Sequence, residues 1–135
     1  MKIYRIAQQS DKLDELDELD EANAEFQSII DSFMSQYPEL DLWAYETESK
    51  IQLSELRLPV DMRRKGIGSE IIRAIQEFAQ RRGKPISLSP EPEVGYKKKL
   101  NDFYKGHGFV PNKGRNTDFT ISDPLSATMY WRPQQ

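Results

Sequence analysis

The run from residue 51 to 83, IQLSELRLPVDMRRKGIGSEIIRAIQEFAQRRG, constrains the fold more than any other part of the chain. It opens with the alternating apolar pattern of a strand over 51–58 and crosses a turn at 59–66. From about residue 67, Ile67, Ile71, Ala74, Ile75, Phe78 and Ala79 recur at helical spacing and make one apolar face. Glu70 with Arg73, and Glu77 with Arg81, fall at solvent-side pair spacing. Gly83 supplies a left-handed stop and Pro85 prevents continuation. A strand that feeds an amphipathic helix must bury one face of each against the other, so a layered domain of sheet and helices follows.

The flanking segments extend the same pattern. LWAYE (42–46) precedes the strand across a TESK turn, the spacing of an antiparallel hairpin. ISLSP (86–90) reads as a strand, and VGYKKKLNDFYKGHGF (94–109) as a helix ended by Gly106 and Gly108. DFTIS (118–122) and ATMYW (127–131) read as closing strands after the loop PNKGRNT (111–117). Upstream, Ile3, Tyr4 and Ile6 suggest an opening strand, and a helix capped by Ser10 or Asp11 follows. Its Leu13, Leu16 and Leu19 drift around the axis, which suggests a bend or a second helix near Asp20. Beyond it Ala22, Phe26, Ile29, Ile30, Phe33 and Tyr37 keep one face until Pro38. At 135 residues, one domain over 1–135 is expected. The element order gives an α/β (α+β) class.

Composition narrows the chemistry. The chain has no cysteine and a single histidine, His107, leaving little material for thiolate chemistry, a zinc site or a serine–histidine triad. No apolar run nears the ~20 residues that span a bilayer, so no membrane partner is expected. The opening MKIYRIAQQS lacks a signal-peptide core, and without cysteine a cytoplasmic location is the expectation. Residues 1–50 hold 13 Asp/Glu against 4 Lys/Arg, and residues 51–135 hold 15 Lys/Arg against 9 Asp/Glu. This polarity reads either as two solvated faces or as an anionic ligand on the second half and a cationic one drawn to the first. Nucleic acid is disfavoured, because the acidic half repels phosphate.

The turn itself carries the sharpest signal. Arg63, Arg64 and Lys65 are followed by Gly66, Ile67, Gly68 and Ser69 at the mouth of the helix. A helix start leaves unpaired N–H groups at the positive end of the dipole, and glycines let an anion come close. The spacing fits neither a Walker loop nor a dinucleotide fingerprint. It reads as R-x-x-G-x-G from Arg63 to Gly68, and either a phosphate cradle or a plain helix-capping turn accounts for it. Tyr104, 36 residues beyond Gly68, precedes Gly108 and Phe109 at the end of the basic helix.

Together the two motifs resemble the GNAT superfamily of acyl-CoA N-acyltransferases, most strongly over about residues 51–110. Leu58, Pro59 and Val60 stand where the family commonly has an apolar residue, any residue and proline, with the proline one place early. The resemblance implies a mixed, mostly antiparallel sheet flanked by helices, with a splayed strand pair where CoA binds, and an abbreviated N-terminal half. It implies acetyl-CoA as cosubstrate, no metal, an amine acceptor, and a homodimer as a recurrent assembly. Backbone N–H groups of Arg64, Lys65, Gly66, Ile67, Gly68 and Ser69 would hold the pyrophosphate, with Arg63 and Lys65 screening it. Backbone groups around Leu58 and Val60 would pair with the pantetheine arm, and ISLSP would be the strand that splays away. Tyr104 would be the general acid for the departing thiolate. Phe103 and Phe109 read as core.

Departures from the family pattern bear on the acceptor side. Lys97 stands where many members have asparagine, and with Lys98 and Lys99 it reads as a CoA-phosphate contact or as a solvated face. By spacing Gln52 replaces a strand glutamate that some members use as base. Glu55 on the same strand is either a base acting through water or an exposed carboxylate. His107 reads as an exposed turn residue first and a base second. The expected activity is transfer of acetyl from acetyl-CoA to a primary amine by direct attack in a ternary complex, the acceptor being a small cationic amine or a peptide amine. A catalytically silent CoA-binding or protein-interaction module of the same fold is the alternative.

Overall fold

The computed structural model describes residues 24–90, 95, 97–121 and 128–134. The readings made for Ile3 to Ala22, for the start of the basic helix at Val94 and Tyr96, and for residues 122 and 127 lie outside the described residues. The first described element, α1, is helical over 24–36. It places Phe26, Ile30 and Phe33 in the core, as their helical spacing requires. The helix stops before Pro38, and the chain enters β1 (Asp41–Glu46) and β2 (Ile51–Arg57). These pair antiparallel with Glu46 opposite Ile51, and a bulge interrupts the register between Trp43 and Ala44. Thr47 closes the turn: its amide and hydroxyl both donate to the Lys50 carbonyl, at 2.8 and 3.1 Å.

A crossover through α2 (Ile67–Arg82) leads to β3 (Ile86–Leu88), which lies parallel to β2. Then come α3 (Lys97–Gly106), β4 (Val110–Pro111) and β5 (Met129–Trp131). The sheet order is β1-β2-β3-β5-β4, and only the β2–β3 pair is parallel. Ile51, Ile86 and Trp131 stand in line across three strands, as do Leu53, Leu88 and Met129. Period-two alternation puts both rows on one face. That face joins Ile71, Ile72, Ile75 and Phe78 of α2 and Phe26 of α1 in a single core. The Phe26 and Phe78 rings meet at 5.0 Å between centroids. Arg81, expected to face Glu77 along the helix, reaches across to Glu25 of α1 at 2.5 Å.

Two sequence expectations need correction. DFTIS is not a strand where it is described: residues 119–121 form a turn, preceded by a 3-10 turn over Gly114–Asn116. Polar side chains take over the backbone here. Asn112 accepts from the Asp118 amide at 2.6 Å and donates to its carbonyl at 3.1 Å, and the Asp118 carboxylate holds Thr120 and Arg132. The hydrogen bond from the Thr120 side chain, and then the one from Arg132, hold the Asp118 carboxyl below the usual carboxylate range. The second correction is β4, a two-residue strand in the segment read as loop, whose pairing with β5 is continued by the Asn112 amide on Thr128 at 2.8 Å.

Candidate active site

β2 and β3 pair only from Ile51/Ile86 to Leu53/Leu88. β2 then runs on to Arg57 while β3 has ended, so the two strands part and open a cleft of about 250 Å³. Residues 53–57 line one wall, Leu88, Ser89 and Pro90 the other, and Leu100 and Tyr104 of α3 close it. Trp43 reaches it from β1. Peptide groups of β2 beyond Leu53 have no β3 partner, because a strand turns alternate N–H and C=O groups to each side and β1 takes only one side. The parting expected from ISLSP therefore occurs, beyond Leu88.

Tyr104 sits in the last turn of α3, and the helix exit fixes its backbone: the amides of His107 and Phe109 both return to the Tyr104 carbonyl, at 3.0 and 3.1 Å. The chain can leave in that direction because Gly108 adopts φ +90°, and an added Cβ there would meet Trp131 at 3.3 Å. The ring is buried between Phe103 and Phe109, with edge contacts at 5.2 and 5.7 Å between centroids. Burial pushes its phenol up to about 12, so it is protonated throughout the neutral range.

The turn before α2 follows from its own residues. Val60–Met62 form one 3-10 turn, and the backbone then passes through left-handed conformations at Arg64 (φ 64°) and Gly66 (φ 81°). Gly66 is the N-cap and provides no side chain to satisfy the first amides of α2. Arg64, Lys65 and Gly66 are exposed, whereas Ile67 and Gly68 are buried and Ser69 is half-buried. The Arg63 Nε donates to the Leu58 carbonyl at 2.9 Å, and the Arg63 amide donates to the Val60 carbonyl at 3.3 Å. Both carbonyls are thus engaged inside the turn, and Val60 lies in the 3-10 turn rather than on a strand edge. The stretch with strand geometry beside the cleft is 54–57, just upstream.

The two glycines have separate reasons. Gly66 has open space where a Cβ would stand, so its need is the positive φ. An added Cβ on Gly68 would come within 3.2 Å of Phe103 Cζ and 3.5 Å of Leu58 Cδ1. Gly68 therefore lets the first turn of α2 close against α3, one residue from Tyr104. His107 is not the exposed turn residue expected. Its Nε2 lies 3.0 Å from Ser69 Oγ, its carbonyl accepts from Gln76 at 2.7 Å, and its ring meets Phe103 edge-on at 5.0 Å. Burial, and then the charge of Arg73, hold its pKa below the ordinary histidine value. Gln52 accepts from Ser87 at 2.6 Å under the sheet and is not among the cleft residues, whereas Glu55 is. Lys97, Lys98 and Lys99 are exposed, and Lys98 pairs with Asp102 one turn on at 2.7 Å. Trp43 was missed as a cleft residue. Its only signal is the alternation of LWAYE, which turns Trp43 and Tyr45 away from Leu42 and Ala44.

Comparison with solved structures gives the fold. The chain resembles the anti-CRISPR protein AcrVA5, with a TM-score of 0.53 and 21% identity over 70% of this chain and 90% of that one. It also resembles Ard1 from Thermoplasma volcanium, with a TM-score of 0.51 and 18% identity over 81% and 80%. No protein-family model matches the chain, and no curated protein matches it. The chain shares the fold of these two solved structures.

Proposed function

We propose that the chain is an N-acetyltransferase that moves an acetyl group from acetyl-CoA to a primary amine by direct attack in a ternary complex. The observation that carries this reading is the parting of β2 from β3 beside Tyr104, next to an α2 start that lacks a side-chain cap. The residues present fit acetyl-CoA. The amides of Arg64 to Ser69 are suited to the pyrophosphate, and Arg64 and Lys65 bring positive charge to it. Arg63 ties the turn to the end of β2 through Leu58 and keeps a third cation there. The unpaired edge of β2 at 54–57, leading to Leu58 and Val60, suits the pantetheine arm as an added strand. When bound, the thioester supplies an activated acetyl group.

The rest falls to the chain's own residues. An amine of pKa ~10.4 is almost wholly ammonium at neutral pH and must first release a proton to water or a base. As its nitrogen bonds to the acetyl carbon and the carbon–sulfur bond breaks, Tyr104 gives its phenolic proton to the sulfur. The products are the amide and the CoA thiol, and the phenol is restored by the proton the amine sheds. The chain has no cysteine to carry an acyl group, which suits direct transfer. The test is to incubate the protein with acetyl-CoA and a panel of amines and follow thiol release. Amine-dependent release supports the reading, and stoichiometric CoA binding with none would make the chain a binding module instead.

A further inference from the structure

Trp43 and Glu55 are direct cross-strand partners on β1 and β2, at the bulge, and both line the cleft that Tyr104 closes. Trp43 is 64% exposed, an unusual position for the largest apolar side chain. Two residues along, Arg57 also lines the cleft, with Asp41 as its cross-strand partner. Every other cleft residue is uncharged. The carboxylate of Glu55 is the one negative charge among the described cleft residues, and its cross-strand neighbour is an open indole. An indole face with a neighbouring carboxylate is a receptor for an organic cation.

We infer that Trp43 and Glu55 hold a second positive charge of the acceptor, so that the amine acetylated is the near end of a chain whose far end is also cationic. This rests on the transfer reading above and names its substrate class. The attacking nitrogen must be neutral, whereas a nitrogen between a carboxylate and an indole is stabilised as ammonium. The nitrogen held there is consequently not the one that attacks. The same chemistry is offered by an aliphatic diamine and by a lysine beside another cationic side chain in a peptide.

The test compares diaminobutane with n-butylamine, matched in length, and with a dilysine peptide blocked at both ends. Acetyl-CoA turnover is read by thiol release. The expected result is a preference for the dication over n-butylamine in kcat/KM. That preference should fall by about fivefold in Trp43→Ala through KM, survive in Trp43→Phe, and fall similarly in Glu55→Gln. Dependence shown by the peptide and not by diaminobutane supports the same site with a protein side chain as its source. Equal losses for monoamine and dication, or a Glu55→Gln effect confined to kcat, would overturn the inference, the latter making Glu55 a base. Should no acceptor release thiol, the transfer reading fails, and calorimetry on the CoA-bound protein decides the site alone. Saturable diaminobutane binding that weakens in both Trp43→Ala and Glu55→Gln supports it, and binding no better than that of n-butylamine overturns it.

Discussion

The two ends of α2 are both rich in cations and use them in opposite ways. At the C-terminal end the chain turns through Gly83 in a left-handed conformation, and the Lys84 amide returns to Ala79 at 3.0 Å. Arg82 and Lys84 close on Glu46 at 2.9 and 2.7 Å, and the Glu46 side chain is fully buried. Its second oxygen, Oε1, is buried without a hydrogen-bond partner among the described residues. At the N-terminal end no side chain caps the helix, and Arg64 and Lys65 are exposed. Helix ends usually satisfy their own backbone groups. The sealed end locks α2 to the hairpin, and the open end is the one we propose for the pyrophosphate. On that proposal, the difference separates a structural use of positive charge from a binding one.

The largest expected effect lies at the sealed end. Glu46→Ala leaves Lys84, whose side chain is 12% exposed, and Arg82 without their carboxylate, and should cost about 3–5 kcal/mol by denaturant unfolding. If the cost is near zero, the sealed end is not structural and the contrast breaks. Next is the chemistry beside the open end. Tyr104→Phe should lower kcat by about a hundredfold while CoA affinity holds, since only the acid is removed. The same variant carries a pH signature. The phenol ionises near 10 when unfolded and near 12 when folded, so above about pH 10 the unfolded state releases its proton first and wild-type stability falls toward pH 12. Tyr104→Phe should lose less stability over that window, measured as a difference between the two proteins.

Smaller effects sharpen the open end itself. Gly66→Ala should cost about 1 kcal/mol, from the left-handed backbone alone, because its Cβ meets no neighbour. Gly68→Ala should disturb the contact with Phe103 and reduce turnover as well as CoA affinity, a split that binding and rate measurements resolve. Smallest, Arg64→Ala and Lys65→Ala should each weaken CoA binding by a few fold in low salt and by less in high salt, as exposed charges are screened. Salt-independent losses would mean that these cations do not face the phosphates.

Much of the fold is legible because its elements carry strong periodicity. The alternation of 51–58 and the apolar face of α2 locate strand and helix to within a residue or so, and the turn chemistry of TESK and Gly83 locates their ends. DFTIS misleads because alternation cannot register the bonds by which Asn112 and Asp118 divert the backbone. β4 is too short to leave a pattern. In the site, glycines and cations mark the turn, yet nothing local reveals that Gly68 answers Phe103 or that Ser69 meets His107. Those contacts join segments more than 30 residues apart, and only the packing of α2 on α3 creates them. Trp43 is visible in the alternation, but its place at the cleft depends on where β3 stops.

The most direct measurement is calorimetric titration of the chain with CoA and, separately, with pantetheine, which keeps the thiol arm and lacks the pyrophosphate. If the open end of α2 grips the pyrophosphate, CoA should bind about a hundredfold or more tighter, the equivalent of two charge-assisted hydrogen bonds. Equal affinity for the two, or no affinity for CoA, would contradict the assignment of that helix end.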